Sequence, residues 1–202
     1  MKCITPLVVA FTAALPHLAH AGDVTPPPVP ASIQVPAGNK AFLEGHAAGT
    51  QDYICLPSGT GFAWTFFAPQ ATLFNDTQKQ IITHFLSPNP FEGGTPRATW
   101  QHSGDTSAVW GLTIAPPLTD PLFVAPGAIP WLLLQAVGTQ YGPTWGDKLT
   151  ATTYIQRLNT SGGIAPSTGC AASTDVGKKV LVPYTADYFF YKDRGNDAND
   201  ND

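Results

Sequence analysis

Apolar and polar residues alternate with a period of two along most of this chain, the pattern of strands that bury one face. In Ser107 to Ile114, Ala108, Trp110, Leu112 and Ile114 fall on one face, while Ser107, Gly111 and Thr113 share the other with Val109. Thr150 to Asn159 alternates more weakly, and Val180 to Tyr184 and Asp187 to Tyr191 are β-branched or aromatic runs. Ala71 to Phe74 and Gln80 to Leu86 flank a polar turn at 75–79 and predict a hairpin. Lys40 to His46, Gln51 to Leu56, Phe62 to Phe67 and Trp131 to Val137 add further strands. No window carries a helical stripe, and 20 Pro and 19 Gly interrupt nearly every long segment. The pattern predicts an all-β, antiparallel sandwich or barrel of about eight to ten short strands in a single domain. Two spacers, Ser87 to Pro96 and Ala115 to Pro126, read as long surface loops, where binding function could sit.

The two ends break the alternation. Residues 1–21 place Lys2 ahead of an apolar run from Ile4 to Leu15 and close on Ala19-His20-Ala21, the layout of a cleavable secretory signal peptide. Residues 22–36 hold five prolines without apolar periodicity and read as an extended lead or tether. A β domain is expected over 37–192, and an acidic disordered tail over 193–202. Neither the leader nor any later apolar run reaches the roughly 20 residues a membrane-spanning helix needs. The expected location is secreted or periplasmic.

Composition narrows the partners. Only 12% of residues are charged and the net charge is −4, so no basic stripe is available for nucleic acid. Cleavage of the leader removes Cys3 and leaves Cys55 and Cys170, an even pair expected to form one disulfide in an oxidising compartment. Their separation does not suit a metal or redox pair. The sequons at Asn75 and Asn159 matter only in a eukaryotic secretory path.

No segment carries a catalytic or cofactor signature. There is no G-x-S-x-G elbow, and Ser167 lacks an adjacent base in sequence. His46, His84 and His102 are weak candidates for a metal site with a carboxylate such as Glu44 or Asp105, since no spacing preorganises them. His84 also sits on one strand face with Ile82 and Leu86, which suits a half-buried neutral ring. Trp64, Trp110 and Trp131 lie in apolar strands as core anchors, whereas Trp100 and Trp145 have polar or Gly-rich neighbours and are candidates for stacking on a carbohydrate or other small molecule. A ligand-binding or surface-interaction module is thus expected, with Trp100, Trp145, His84 and Asp105 as candidate site residues and no cofactor implied. The alternative is an extracellular enzyme using His84 with Asp105 or Glu92. Asp187 and Arg157, each inside a strand, read as a semi-buried ion pair or a pocket pair.

Four stretches, VPAGNKAFLEGHAAGTQDYICLP at 35–57, GAIPWLLLQAV at 127–137, YIQRLNTSGGIAPSTGC at 154–170 and VPYTADYFFY at 182–191, resemble a family of bacterial and fungal exported proteins known as domain of unknown function 3455. The resemblance implies secretion and a β-rich domain, and no chemistry. Some fungal members carry a malate dehydrogenase label, which requires a dinucleotide-binding fold. Here the nearest glycine fingerprint, Gly59-Thr60-Gly61, lacks its third glycine and leads into a strand rather than a helix.

Overall fold

The computed structural model describes residues 24–195. Eight antiparallel strands, β1 (Asn39–Ser58), β2 (Gly61–Phe74), β3 (Gln80–Asn89), β4 (Thr95–His102), β5 (Ala108–Thr113), β6 (Leu132–Gln140), β7 (Thr152–Gly162) and β8 (Lys179–Asp193), pair each with the next. β8 returns to pair with β1 and closes the barrel. Helical structure among the described residues is confined to three short 3-10 turns, so no helix is long and apolar enough to cross a membrane. Gly59 lies in the tight β1–β2 turn, and among the described residues no parallel strand pair supports a dinucleotide fold.

The barrel has eight strands, within the expected eight to ten, although the runs are divided differently. Three pairs of short runs, at 40–56, 62–74 and 180–191, are each one continuous strand. What divided the first in sequence is a run of small residues, and the closed barrel needs them. A Cβ on Gly49 would stand 2.0 Å from the Gln70 carbonyl oxygen of β2, and one on Gly45 would stand 2.9 Å from the Leu73 side chain. The small inner face of β1 thereby leaves room for Tyr184 and Tyr188, its partners on β8. The expected surface loop Ser87 to Pro96 is shorter than predicted, since β3 takes it as far as Asn89 and an unforeseen strand, β4, begins at Thr95 and runs to His102. Between β3 and β4 the chain turns tightly around Asn89, which is fully buried and accepts from the Phe91 amide at 3.0 Å.

Side chains divide between two cores. Inside the barrel, Leu73, Ile82, Trp100, Val109, Leu134, Ile155, Tyr188 and Phe190 form a continuous packed cluster. Outside it, Trp131, Leu133, Leu158, Phe189 and Tyr191 line the outer face of β6 to β8 and would be wet if left bare. The Pro-rich lead covers them. Ile33 inserts into this second cluster with no exposed surface, and its carbonyl accepts from Gln156 Nε2 at 2.7 Å. The lead is extended, as its prolines predict, but it is packed on the barrel and does not hang free. The segment between β5 and β6 closes the rest of this face through Leu118, Phe123, Val124 and Ala128.

At the far terminus β8 runs on to Asp193, and the Arg194 amide donates to the Gly38 carbonyl at 2.9 Å. The leader 1–21 and the last seven residues of the expected tail lie outside the described residues.

Candidate functional site

The barrel is plugged at one end and hollow at the other. The plug is the β6–β7 connection, and Asp105 in the β4–β5 turn holds it. One Asp105 oxygen accepts from the Ser107 amide and hydroxyl, the other from the Lys148 amide at 2.8 Å. The Ser107 hydroxyl accepts in turn from the Leu149 amide, and Leu149 is fully buried. Gly142 and Gly146 are required here, because a Cβ on either would lie within 2.2 Å of the Asp105 carbonyl oxygen. Burial alone would raise the Asp105 carboxyl, but these donors and the neighbouring His102 hold it down at about 2. Asp105 is thus committed to structure and is not free for a ligand.

The sign of its pH dependence follows. Unfolded, Asp105 protonates near 3.8; folded, near 2. Its stabilisation is therefore complete above pH 4 and is lost as pH falls toward 2. Urea melts between pH 5 and pH 2 should show a steeper acid loss for the wild type than for Asp105→Asn; parallel curves would refute the assignment.

The three histidines do not converge. His102 pairs with Asp105 at 3.0 Å. His46 donates from Nδ1 to Asp187 at 2.7 Å and from Nε2 to Asp76 at 2.9 Å. The bonds to Asp187 and then Asp76 raise its pKa, since a carboxylate on each ring nitrogen favours the charged imidazole. Glu44 lies beside it, and Glu44, His46 and Asp187 bring ligating atoms within 4.8 Å of one another. The cluster ties β1 to β8 and to the β2–β3 hairpin. Asp187 also accepts from Asn159 at 2.8 Å, so it does not pair with Arg157.

His84 is wholly interior. Its Nδ1 donates to the Thr99 carbonyl at 2.9 Å, and its ring stacks on Trp100 with centroids 4.3 Å apart. Burial depresses its pKa to about 3, so the imidazole is neutral. Neither expected carboxylate reaches it. Glu92 is held by Arg97 and Asn89, and Asp105 by the plug. The acid–base constellation of His84 with Asp105 or Glu92 is not assembled.

The two tryptophans expected on a surface platform part company. Trp145 is 83% exposed beside Tyr141, on the plug. Trp100 is 1% exposed: on β4 it alternates inward with Ala98, and it packs edge-on to Tyr188 and Phe190. Trp110 and Trp131 are buried as anchors, while Trp64 is half-buried and donates to the Thr168 carbonyl.

Above the Trp100–His84–Tyr188 layer the barrel opens into a cavity of about 520 Å³. Leu86, Ala98, Leu112, Leu132 and Leu134 wall it, Tyr53, Phe66 and Pro69 form one side, and Pro117, Ile129 and Pro130 reach over it from the β5–β6 connection. Arg157, on β7, is the buried cation of the wall. Its Nε and Nη2 donate to the Pro130 carbonyl at 3.2 and 2.8 Å, which anchors the overhanging segment. The seam between β2 and β3 contributes to the opening. Their pairing stops at Ala71 opposite His84, and β2 continues past Pro69 paired with β1 alone. A bulge at Asp52/Tyr53 carries this extension away from β3, and the Cys55–Cys170 disulfide pins it to the β7–β8 connection.

The sequence offers Arg157 as half of a pocket pair with Asp187, and the structure puts Arg157 alone of the two on the wall; the roles of Tyr188 and Leu86 it does not suggest. The alternation Leu132, Leu134 and Ile155, Arg157 was the available signal, since inward neighbours of a closed barrel share a parity.

By fold and site this is a closed up-and-down barrel of eight strands with one hollow mouth, a class whose interior is wide enough for packed side chains or for one small ligand. The chain belongs to the family described as protein of unknown function (DUF3455), whose model matches residues 36–192. No curated protein and no solved structure matches it.

Proposed function

We propose that the protein is an exported binding domain that holds one small, largely apolar molecule in the mouth of its barrel. The cavity carries the reading: about 520 Å³ walled chiefly by Leu, Ile, Pro and aromatic side chains, within the size range of small-molecule sites. Apolar side chains continue onto its rim, where Phe66 and Leu86 are 49% and 39% exposed, as suits an apolar guest entering from water. A sugar fits less well, because its many hydroxyls would face this wall with few partners. Export is supported by the leader-like residues 1–21 and by a disulfide, a bond that persists in oxidising compartments.

N-phenyl-1-naphthylamine, a neutral apolar dye that brightens when removed from water, tests this directly. One saturable site per chain is expected. Ala98→Trp, which fills the cavity, should abolish it, while Trp145→Ala on the opposite end leaves it unchanged. Absence of saturable binding by the folded wild type would overturn the reading.

A further inference from the structure

We infer that the molecule held in this cavity is an acid, an apolar body ending in a carboxylate or similar oxyanion whose charge rests on Arg157. The inference builds on the cavity reading and adds the chemical class of the guest.

Arg157 is only 9% exposed, yet its protein acceptor is a neutral carbonyl, that of Pro130. Among the described residues no carboxylate pairs with it. The candidates are committed elsewhere: Glu92 to Arg97, Asp105 to His102 and the plug, Asp175 to Lys178, Asp187 to His46. Asp52, the buried carboxylate nearest in sequence to the cavity wall, accepts from Thr50 and Gln70, each at 2.6 Å. The titratable groups that feel the guanidinium are Tyr53 on β1, His84 on β3 and Tyr184 on β8. Burial raises the two phenols and depresses the imidazole, so all three are neutral at pH 7. A buried cation without a counter-charge is costly to a fold, and such a charge is retained where something supplies the opposite one.

A second donor lies unused on the same wall. The indole N–H of Trp100 is buried and has no acceptor, and the Trp100 ring stands 5.6 Å from that of Tyr188, the β8 partner of Arg157. The cavity lining thus contains a guanidinium whose charge no carboxylate meets and a tryptophan whose indole N–H has no acceptor, and an oxyanion accepts from either kind of donor. The remaining wall is apolar, which sets the rest of the guest. Arg97 at the rim does not compete, because Glu92 already holds it at 2.7 Å.

Three compounds of one shape separate charge from bulk: 1-naphthaleneacetate, 1-naphthaleneacetamide and 1-naphthalenemethylamine, each displacing N-phenyl-1-naphthylamine from the full mature chain at pH 7. The acid should displace the dye at a concentration about tenfold or more below that of the amide, with the amine weakest, as a charge-assisted bond in a dry site requires. Within Arg157→Gln the acid and the amide should displace whatever dye binds at equal concentrations, the ratio of the two being the readout, and Arg157→Lys should keep part of the preference. Equal displacement by acid and amide in the wild type overturns the inference without recourse to any variant, as does an acid preference that survives in folded Arg157→Gln. Dye binding without acid preference leaves the cavity reading standing and removes this one; absence of dye binding removes both.

Discussion

Reducing the Cys55–Cys170 disulfide should lower the melting temperature by roughly 4–16 °C. The two cysteines are 115 residues apart in sequence and close a loop that contains β2 to β7. For a loop of that length the chain-entropy model gives roughly 4.8 kcal/mol, and measured gains are commonly about 2–4. In a domain of this size each kcal/mol moves the midpoint by about 2–4 °C. Cys55 is fully buried, and its backbone bonds to Gly177 and Lys178 lie beside the bridge, so loosening should begin at the β1–β2 extension. Calorimetry with and without reductant measures the shift, and a Cys55→Ala/Cys170→Ala variant should reproduce it. Uptake of two alkyl groups by unreduced, denatured protein would show that the bond does not form.

Removing the Pro-rich lead should be at least as damaging. Ile33 alone fills a fully buried site among Leu158, Phe189 and Tyr191, and Ile33→Ala should cost about 2–5 kcal/mol. Deleting residues 24–36 also strips the Gln156 bond and uncovers the outer faces of β7 and β8. Gln156 additionally accepts from the Tyr191 hydroxyl, so the deletion leaves a buried polar pair open to water. The expected result is a lower melting temperature, with increased binding of dyes that report exposed apolar surface. A truncated chain starting at residue 37 that melted with the intact one would show that the lead is a mere tether.

The alternation of side chains made the all-β class legible, and with it the hairpin at 71–86, because period-two burial is a local property of each strand. Strand lengths were less legible. Small residues such as Ala47, Ala48 and Gly49 weaken the alternation where barrel closure demands closeness, so one strand looked like two. β4 was hidden by Pro96, Arg97 and Gln101, though Ala98 and Trp100 keep the inward parity. Trp100 was assigned to the surface on its polar neighbours, but in a strand the neighbours at i±1 face the other way and say nothing of its own side. The lead misled for a related reason. Val24, Val29, Ile33 and Val35 have no period, and only the outer groove of β6 to β8, assembled from distant sequence, gives them a place to pack. Arg157 and the carboxylates likewise needed the fold, since which charges meet is decided by registers that no local pattern records.

Closing a sheet into a barrel ordinarily leaves no strand with a free side, and the β2–β3 seam is an exception. From Gly61 to Gln70, β2 pairs with β1 and not with β3, so it is an edge strand carried by a closed barrel. Such edges invite a strand of another chain, and Phe66 and Phe67, 49% and 47% exposed, would reward the contact. Two features blunt it. Pro69 has no amide to offer, and Lys179, from β8, sits 4.2 Å over the Phe67 ring and sets a hydrated charge against that apolar surface. The open seam beside the cavity is thus guarded against self-association by one imino acid and one ammonium group.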